Sequence, residues 1–192
     1  MIQAVRLQDI PQVAALHKKF LPSIISFYSL DFIEKFYQHH LSSPPEKRII
    51  IGFFEEGKLL GFVFGTHELD LLFDDFLKQN RSYFIKETLI ALVKNPVYII
   101  HLFSKIVQKN REVQSQSQLV YLVVDRTFAQ KGIGKMLLKN FENEVGKSVD
   151  YYELEVEKNN PALRFYQKNN FFTVSEINGI LEKKYLLGKR LK

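Results

Sequence analysis

The chain has no cysteine, which excludes disulfides, thiolate catalysis and cysteine-type zinc sites and fits a reducing compartment. Two strings that would identify common nucleotide binders are also missing. No G-x-x-x-x-G-K-[ST] occurs, and Gly132-Ile133-Gly134 lacks the third small residue of a dinucleotide fingerprint because Leu137 stands there. His17, His39, His40, His67 and His101 are scattered without metal-ligand spacing, so no metal site is expected. Met1–Arg6 shows no charged stretch leading into an apolar core, so no signal peptide is expected and the chain reads as cytoplasmic. Lys94 and Pro96 interrupt the longest apolar region before it could span a bilayer. Internal repeats and low-complexity tracts are absent.

What is present is the composition of a globular protein. Of 192 residues, 46% are hydrophobic and 25% charged, enough for one domain over 1–192 with a sizeable core. The net charge of +6 suits an anionic partner, but the basic residues are spread along the chain, so nucleic acid is not indicated.

The apolar pattern gives an alternating order of elements. Ile2–Leu7 reads as a strand. Asp9 and Pro11 open a helix to about Phe20, with Val13, Ala14 and Leu16 inward. A second helix follows Ser29, with Phe32, Ile33, Phe36 and Tyr37 on one face, and Ser43-Pro44-Pro45 stops it. Arg48–Phe54 and Leu59–Thr66 form a hairpin across Glu56-Gly57-Lys58. Residues 68–118 then read as a helical insertion broken at Asn95-Pro96. One apolar face is Ile85, Leu89, Leu92 and Val93, another is Val97, Ile100, Phe103, Ile106 and Val107, and the polar side is basic. This pair packs on the core, or serves as a lid, a homodimer element or a membrane-surface element. Strand Leu119–Val124, helix Gly132–Val145, strand Tyr151–Val156, helix Pro161–Asn169 and strand Phe171–Ser175 follow. Asn178-Gly179 turns into a last strand, Ile180–Leu187.

Two stretches carry chemistry. In LVYLVVDRTFAQKGIGKMLL, Leu119–Leu138, a strand feeds a polar turn, two glycines and a helix start. Glycines let the backbone approach an anion, and the exposed amides of a helix start favour negative charge. Lys131 and Lys135 add to this, so the first expectation is a phosphate-bearing ligand. In LEVEKNNPALRFYQKNNFF, Leu154–Phe172, Asn160 suits a helix cap, Pro161 the first helical position, and Tyr166 shares a helix side with Ala162 and Phe165.

Together, Val124, Lys131, Gly132, Gly134 and Leu138 with Asn159, for which Asn160 is the alternative, Ala162, Phe165 and Tyr166 resemble the motifs of the GNAT-type N-acetyltransferase superfamily. The resemblance covers nearly the whole chain outside residues 68–118. Ala129 stands where the family usually has Arg or Gln, with Gln130 next to it, and Asn170 stands where Gly is frequent. The resemblance implies an α/β fold: a mixed, mostly antiparallel sheet flanked by helices. Its central parallel strands splay, and here a helical insertion lies between strands 3 and 4. It implies direct transfer of the acetyl group of acetyl-coenzyme A to a primary amine. The acceptor would be a small molecule; the alternatives are a protein N-acetyltransferase and a non-catalytic acyl-coenzyme A sensor. The coenzyme would lie on Leu122, Val123, Val124, Ala129, Gln130, Lys131, Gly132, Ile133, Gly134, Lys135, Asn159 and Tyr166. Tyr166 would be the acid that protonates the departing thiolate. Glu155 would be the base, with Glu153 or a water relay as alternatives. The acceptor would meet the aromatic-rich segment Phe27, Tyr28, Phe32, Phe36 and Tyr37.

Overall fold

The computed structural model describes residues 1–44, 47–95, 114–128, 131–179 and 183–191. One seven-stranded sheet runs through it in the order β1-β2-β3-β4-β5-β7-β6. The strands are β1 (Ile2–Ala4), β2 (Arg48–Glu55), β3 (Lys58–Thr66), β4 (Gln118–Val124), β5 (Tyr151–Glu157), β6 (Phe172–Asn178) and β7 (Lys183–Arg190). Every neighbouring pair is antiparallel except β4 with β5. The helices are α1 (Ile10–Phe20), α2 (Leu30–Leu41), α3 (Leu71–Gln79), α4 (Arg81–Lys94), α5 (Ile133–Val145) and α6 (Ala162–Lys168). The expected mixed, mostly antiparallel sheet flanked by helices is therefore present, with a helical insertion between strands 3 and 4.

The local chemistry matches this order. Glu56 (φ 50°) and Gly57 (φ 77°) take the two left-handed positions of a tight hairpin turn between β2 and β3. The Ser29 hydroxyl accepts from the Phe32 amide at 3.1 Å and caps α2. Asp9 behaves differently from expectation. Its carboxylate accepts from the Arg6 amide at 2.9 Å, and a 3₁₀ turn over Leu7–Asp9 replaces the end of the expected first strand.

The sheet separates two cores. On one face α1–α4 bury Phe32, Phe36, Tyr37, Phe62, Phe64 and Phe76; on the other, α5 and α6 bury Leu60, Val63, Leu137, Phe141, Tyr152 and Leu154. β3 is apolar on both faces for this reason.

The insertion corrects one reading. Ile85, Leu89 and Val93 are exposed at 50%, 59% and 86%, while Ala91 is buried and Phe84 packs on the core. The aromatic contacts decide this orientation. Tyr83 stacks on Phe32 (5.9 Å) and donates a short hydrogen bond to Asp31, and Phe84 leans on Tyr28 (5.8 Å). Stacked rings gain more than the burial of the same number of aliphatic groups along an alternative stripe. The second expected face, Val97 to Val107, lies outside the described residues, as does the start of the last hairpin strand at Ile180. Among the described residues no helix is long and apolar enough to cross a membrane.

Two imidazoles are sealed in the core on the α1–α4 side. His17 and His40 have no exposed surface, and burial, reinforced by Lys18 beside His17 and Arg48 beside His40, lowers each pKa from 6.5 to about 3. The Arg48 guanidinium donates to His40 Nδ1 at 3.2 Å, which needs a neutral ring. These shifts set the sign of a pH effect. The unfolded chain takes up protons below pH 6.5 that the folded chain refuses, so stability is complete above 6.5 and falls as pH drops toward 3. Urea unfolding at pH 7 and pH 5 is expected to differ by on the order of 2 kcal/mol per imidazole. An unchanged midpoint would show that these rings are not held neutral.

Candidate functional site

The site begins where β4 and β5 part. Their register holds at Gln118↔Glu153, where the Glu153 amide donates to Ser117 O at 3.1 Å. No further pair links Leu119–Val124 to β5 among the described residues. The outer edges stay paired: β4 follows β3 from Thr66↔Gln118 to Gly61↔Val124, and β5 follows β7 over its length. β4 and β3 approach closely, and a methyl on Gly61 would stand 2.7 Å from Val123 O. A gap therefore opens inside the sheet, with the main chain of β4 along one side.

The neck of the gap is held by side chains. Glu153 is fully buried; its carboxylate accepts from the Tyr151 hydroxyl at 2.8 Å, from the Gln114 amide at 3.3 Å and from Gln118 Nε2 at 3.5 Å. With its oxygens so engaged, Glu153 holds the neck and is poorly placed as a base.

At the far end of β4 the chain turns sharply. The Asp125 carboxylate accepts from the Thr127 amide (3.0 Å) and hydroxyl (2.8 Å), which hold it below the usual carboxylate pKa. The turn leads to Lys131, whose Nζ lies 4.9 Å from the centre of the Phe128 ring. Gly132 then adopts φ 76° and begins α5. Gly132 offers no side chain to cap this helix, and among the described residues no side chain is hydrogen-bonded to the amides of Ile133, Gly134 and Lys135 at its positive end. Lys131, Gly132 and Lys135 are exposed, Gly134 is half-buried, and Ile133 is buried and anchors the turn to the core. Ala129 and Gln130, expected in the same loop, lie outside the described residues.

Helix α6 closes the same end. Asn160 Oδ1 accepts from the Ala162 amide at 2.9 Å and acts as its cap, leaving Asn159 exposed in the loop. A methyl on Gly134 would meet the Phe165 ring at 3.7 Å and Val124 at 3.8 Å, so α5, α6 and β4 meet there. Tyr166 follows in the α5–α6 core, 7% exposed, its ring 5.4 Å from that of Phe171. Burial pushes the phenol well above its ordinary pKa, and no protein group hydrogen-bonds its oxygen among the described residues. Asn170 takes φ 65°, the left-handed conformation expected where a glycine is frequent.

Glu155 lies on β5 beside Lys184, its Oε2 3.7 Å from Nζ. Strand alternation directs Glu155 to the face opposite Tyr152, Leu154 and Val156, and hence opposite Tyr166. The two catalytic candidates thus flank the sheet from opposite sides. Of the aromatics expected to meet an acceptor, Tyr28, Phe32, Phe36 and Tyr37 are buried in the core, and Phe27 packs against it half-buried. Sequence reading also passed over His17, Ser23 and Tyr121, which form a polar cluster beside β4. The available signal was a histidine on the buried stripe of α1 with Val13 and Ala14.

The family model for the acetyltransferase (GNAT) family matches residues 11–171. No curated protein sequence matches the chain. Solved structures share the fold at low identity. An N-acetyltransferase from Staphylococcus aureus Mu50 is 14% identical with a TM-score of 0.64, covering 100% of this chain and 98% of its own. The ribosomal-protein-S18-alanine N-acetyltransferase from Escherichia coli is 14% identical with a TM-score of 0.61, covering 100% and 94%. The PaiA N-acetyltransferase from Thermoplasma acidophilum, solved in complex with coenzyme A, is 15% identical with a TM-score of 0.57, covering 99% and 98%.

The two glycines of the loop should respond differently to substitution. Gly132 has open space around it but a φ of 76°, so Gly132→Val is expected to cost at least about 1–2 kcal/mol through backbone strain. Gly134→Ala makes only ordinary contacts and is expected to leave stability within about 0.5 kcal/mol. Equal midpoints for the two variants in urea would contradict this conformation.

Proposed function

This chain belongs to the acetyltransferase (GNAT) family, and from that membership we propose that it transfers the acetyl group of acetyl-coenzyme A directly to the primary amine of a small-molecule acceptor. The observation that carries the proposal is the parting of β4 from β5 after Gln118↔Glu153, ending at an uncapped helix start. Main-chain groups inside a sheet that lack a partner are costly, and an extended amide-bearing ligand satisfies them as an added strand would.

Each residue then has a defined task. The amides of Gly132, Ile133, Gly134 and Lys135, with the Lys131 ammonium, hold the pyrophosphate of the coenzyme. Ala129 and Gln130 belong to the same loop. The main chain of Leu122, Val123 and Val124 pairs with the pantetheine arm and offers an amide to the thioester oxygen. Asn159 stands at the mouth of the loop before α6. When bound, acetyl-coenzyme A supplies an activated acyl group, so the reaction needs no cysteine nucleophile, in agreement with the composition. Tyr166 keeps its proton because burial disfavours the phenolate, and it donates that proton to sulfur as the thiolate departs. The same low-dielectric site raises the proton affinity of the thiolate, which keeps donor and acceptor matched. Glu155, on the opposite face, takes the proton of the incoming ammonium directly or through water.

Two measurements test this. Acetyl-coenzyme A at 100 times its dissociation constant is expected to stabilise the fold by about 2.7 kcal/mol, and Gly132→Val is expected to lose that gain. Absence of the gain in the unmodified protein would refute coenzyme binding.

Thiol release with spermidine, glucosamine and an alanine-initiated peptide then reads the acceptor. Turnover of the peptide alone would favour protein N-acetylation, and turnover of none would favour a sensor. Tyr166→Phe is expected to lower turnover at least about 100-fold with the coenzyme-induced stabilisation retained. Wild-type turnover in this variant would remove Tyr166 from the reaction.

A further inference from the structure

Helix α4 is apolar on two sides, and the core takes only one of them. Ala91 is buried, and Phe84 and Leu92 pack against the core on the α1–α4 side. Outward stand Ile85, Leu89, Ile90 and Val93, exposed at 50%, 59%, 37% and 86%. At 3.6 residues per turn these four fall within about 140° of arc. Single exposed aliphatic residues are ordinary, but four on one side of one helix form a contiguous patch of the kind that marks a contact surface.

Contacts on the inner side fix this orientation. Glu87 is buried, and its Oε2 accepts from the Ser29 amide at 3.2 Å. Thr88 Oγ1 lies 3.3 Å from the Tyr28 hydroxyl. Tyr83 donates to Asp31, and its ring stacks on Phe32. Turning α4 to bury Leu89 would break all of these and leave the Glu87 carboxylate without its donor. The patch therefore stays outward.

The charges around the patch are of one sign. Arg81, Lys86 and Lys94 are exposed. Arg81 and Lys94 flank the apolar arc, each about 40° beyond it, and Lys86 stands within it. The only carboxylate of α4 is the buried Glu87, and Asp31, which meets Tyr83, is itself paired with Lys35 at 2.7 Å. Long cationic side chains lay their methylenes along apolar surface and keep the charge outside it. The arc and its rims thus fit a boundary that is apolar within and anionic at its surface. A second copy of the chain fits poorly. A symmetric contact places the same patch on both sides, which sets these three cations against themselves with no exposed carboxylate of α4 to answer them.

We propose that the outer side of α4 docks on an anionic lipid bilayer. Ile85, Leu89, Ile90 and Val93 enter the boundary between headgroups and acyl chains, and Arg81, Lys86 and Lys94 meet the lipid phosphates. With 14 residues α4 is about 21 Å long, and its inner side stays on the core, so it lies in the plane of the interface and does not cross the bilayer. The surface is separate from the acetyl-transfer reading: α4 packs on one face of the sheet and the loop before α5 lies on the other.

The test has a binding arm and a contact arm. The full chain is floated with phosphatidylcholine vesicles made with and without phosphatidylglycerol. Flotation is expected with the anionic vesicles, to be reversed by added salt, and not with the neutral ones. Leu89→Ser, and Lys86→Gln combined with Lys94→Gln, are each expected to weaken binding about tenfold or more, with an unchanged urea midpoint because the replaced side chains are exposed. No flotation with anionic vesicles overturns the proposal. Flotation of Leu89→Ser at full strength overturns it too, since the general charge of +6 would then suffice. The contact arm uses the absence of cysteine, which lets Val93→Cys carry a polarity-sensitive fluorophore at a single place. Its emission is expected to shift to the blue only when anionic vesicles are added. A label that stays in water while the chain floats shows that another face binds. A label already in an apolar setting without vesicles shows that the patch is covered by the chain itself or by a second copy. Either result overturns the proposal, and the label decides even where a binding variant fails to fold.

Discussion

β4 and β5 run parallel and adjacent yet pair only at Gln118↔Glu153, and the rest of the site is arranged around that separation. Separation is tolerable because each strand is fully paired along its other edge, β4 with β3 and β5 with β7. It ends at the neck, where the strands are joined by Glu153, a buried carboxylate whose oxygens receive the Tyr151 hydroxyl, the Gln118 amide and the Gln114 backbone. A buried carboxylate is costly unless its oxygens are hydrogen-bonded. The neck and the gap are thus two parts of one constraint. Where the carboxylate gathers its donors the strands meet, and beyond it nothing draws them together.

The gap divides the chemistry as the sheet divides the core. On the α5–α6 side lie the open amides after Gly132 and the buried phenol of Tyr166. On the α1–α4 side lie Tyr121 and, edge-on to its ring, His17 with its hydrogen bond to Ser23. β5 contributes to both faces through simple alternation, with Tyr152, Leu154 and Val156 packed on one and Glu153 and Glu155 directed to the other. The insertion adds no reactive group to the gap among the described residues. Its Tyr83 stacks on Phe32 of α2 and Phe84 tilts against the same ring, which leaves an aliphatic stripe outward.

Much of this was legible in the residues. The order of elements, the Glu56-Gly57 hairpin turn, the glycine start of α5, the Asn160 cap of α6 and the left-handed Asn170 all follow from local backbone preferences. What misled was periodicity without partners. The stripe Ile85, Leu89 and Val93 had the spacing of a buried face, but spacing does not say which of two apolar stripes finds a matching surface. Glu153 and Glu155 looked alike in sequence, two residues apart on one face of one strand. They differ because Glu153 falls where β4 and β5 converge and Glu155 falls beside Lys184.

The sequence by itself determined the elements, their order and the phosphate-type strand–loop–helix joint, because helix starts, tight turns and left-handed positions depend on residues within a few places of one another. Only the tertiary structure decided where β4 and β5 part, that the aromatics of α2 are core, and that His17 on α1 reaches Tyr121 over a hundred residues away. Those outcomes depend on which surfaces meet across the sheet. Pairing between distant segments is set by the combined packing of both cores, which no local pattern encodes.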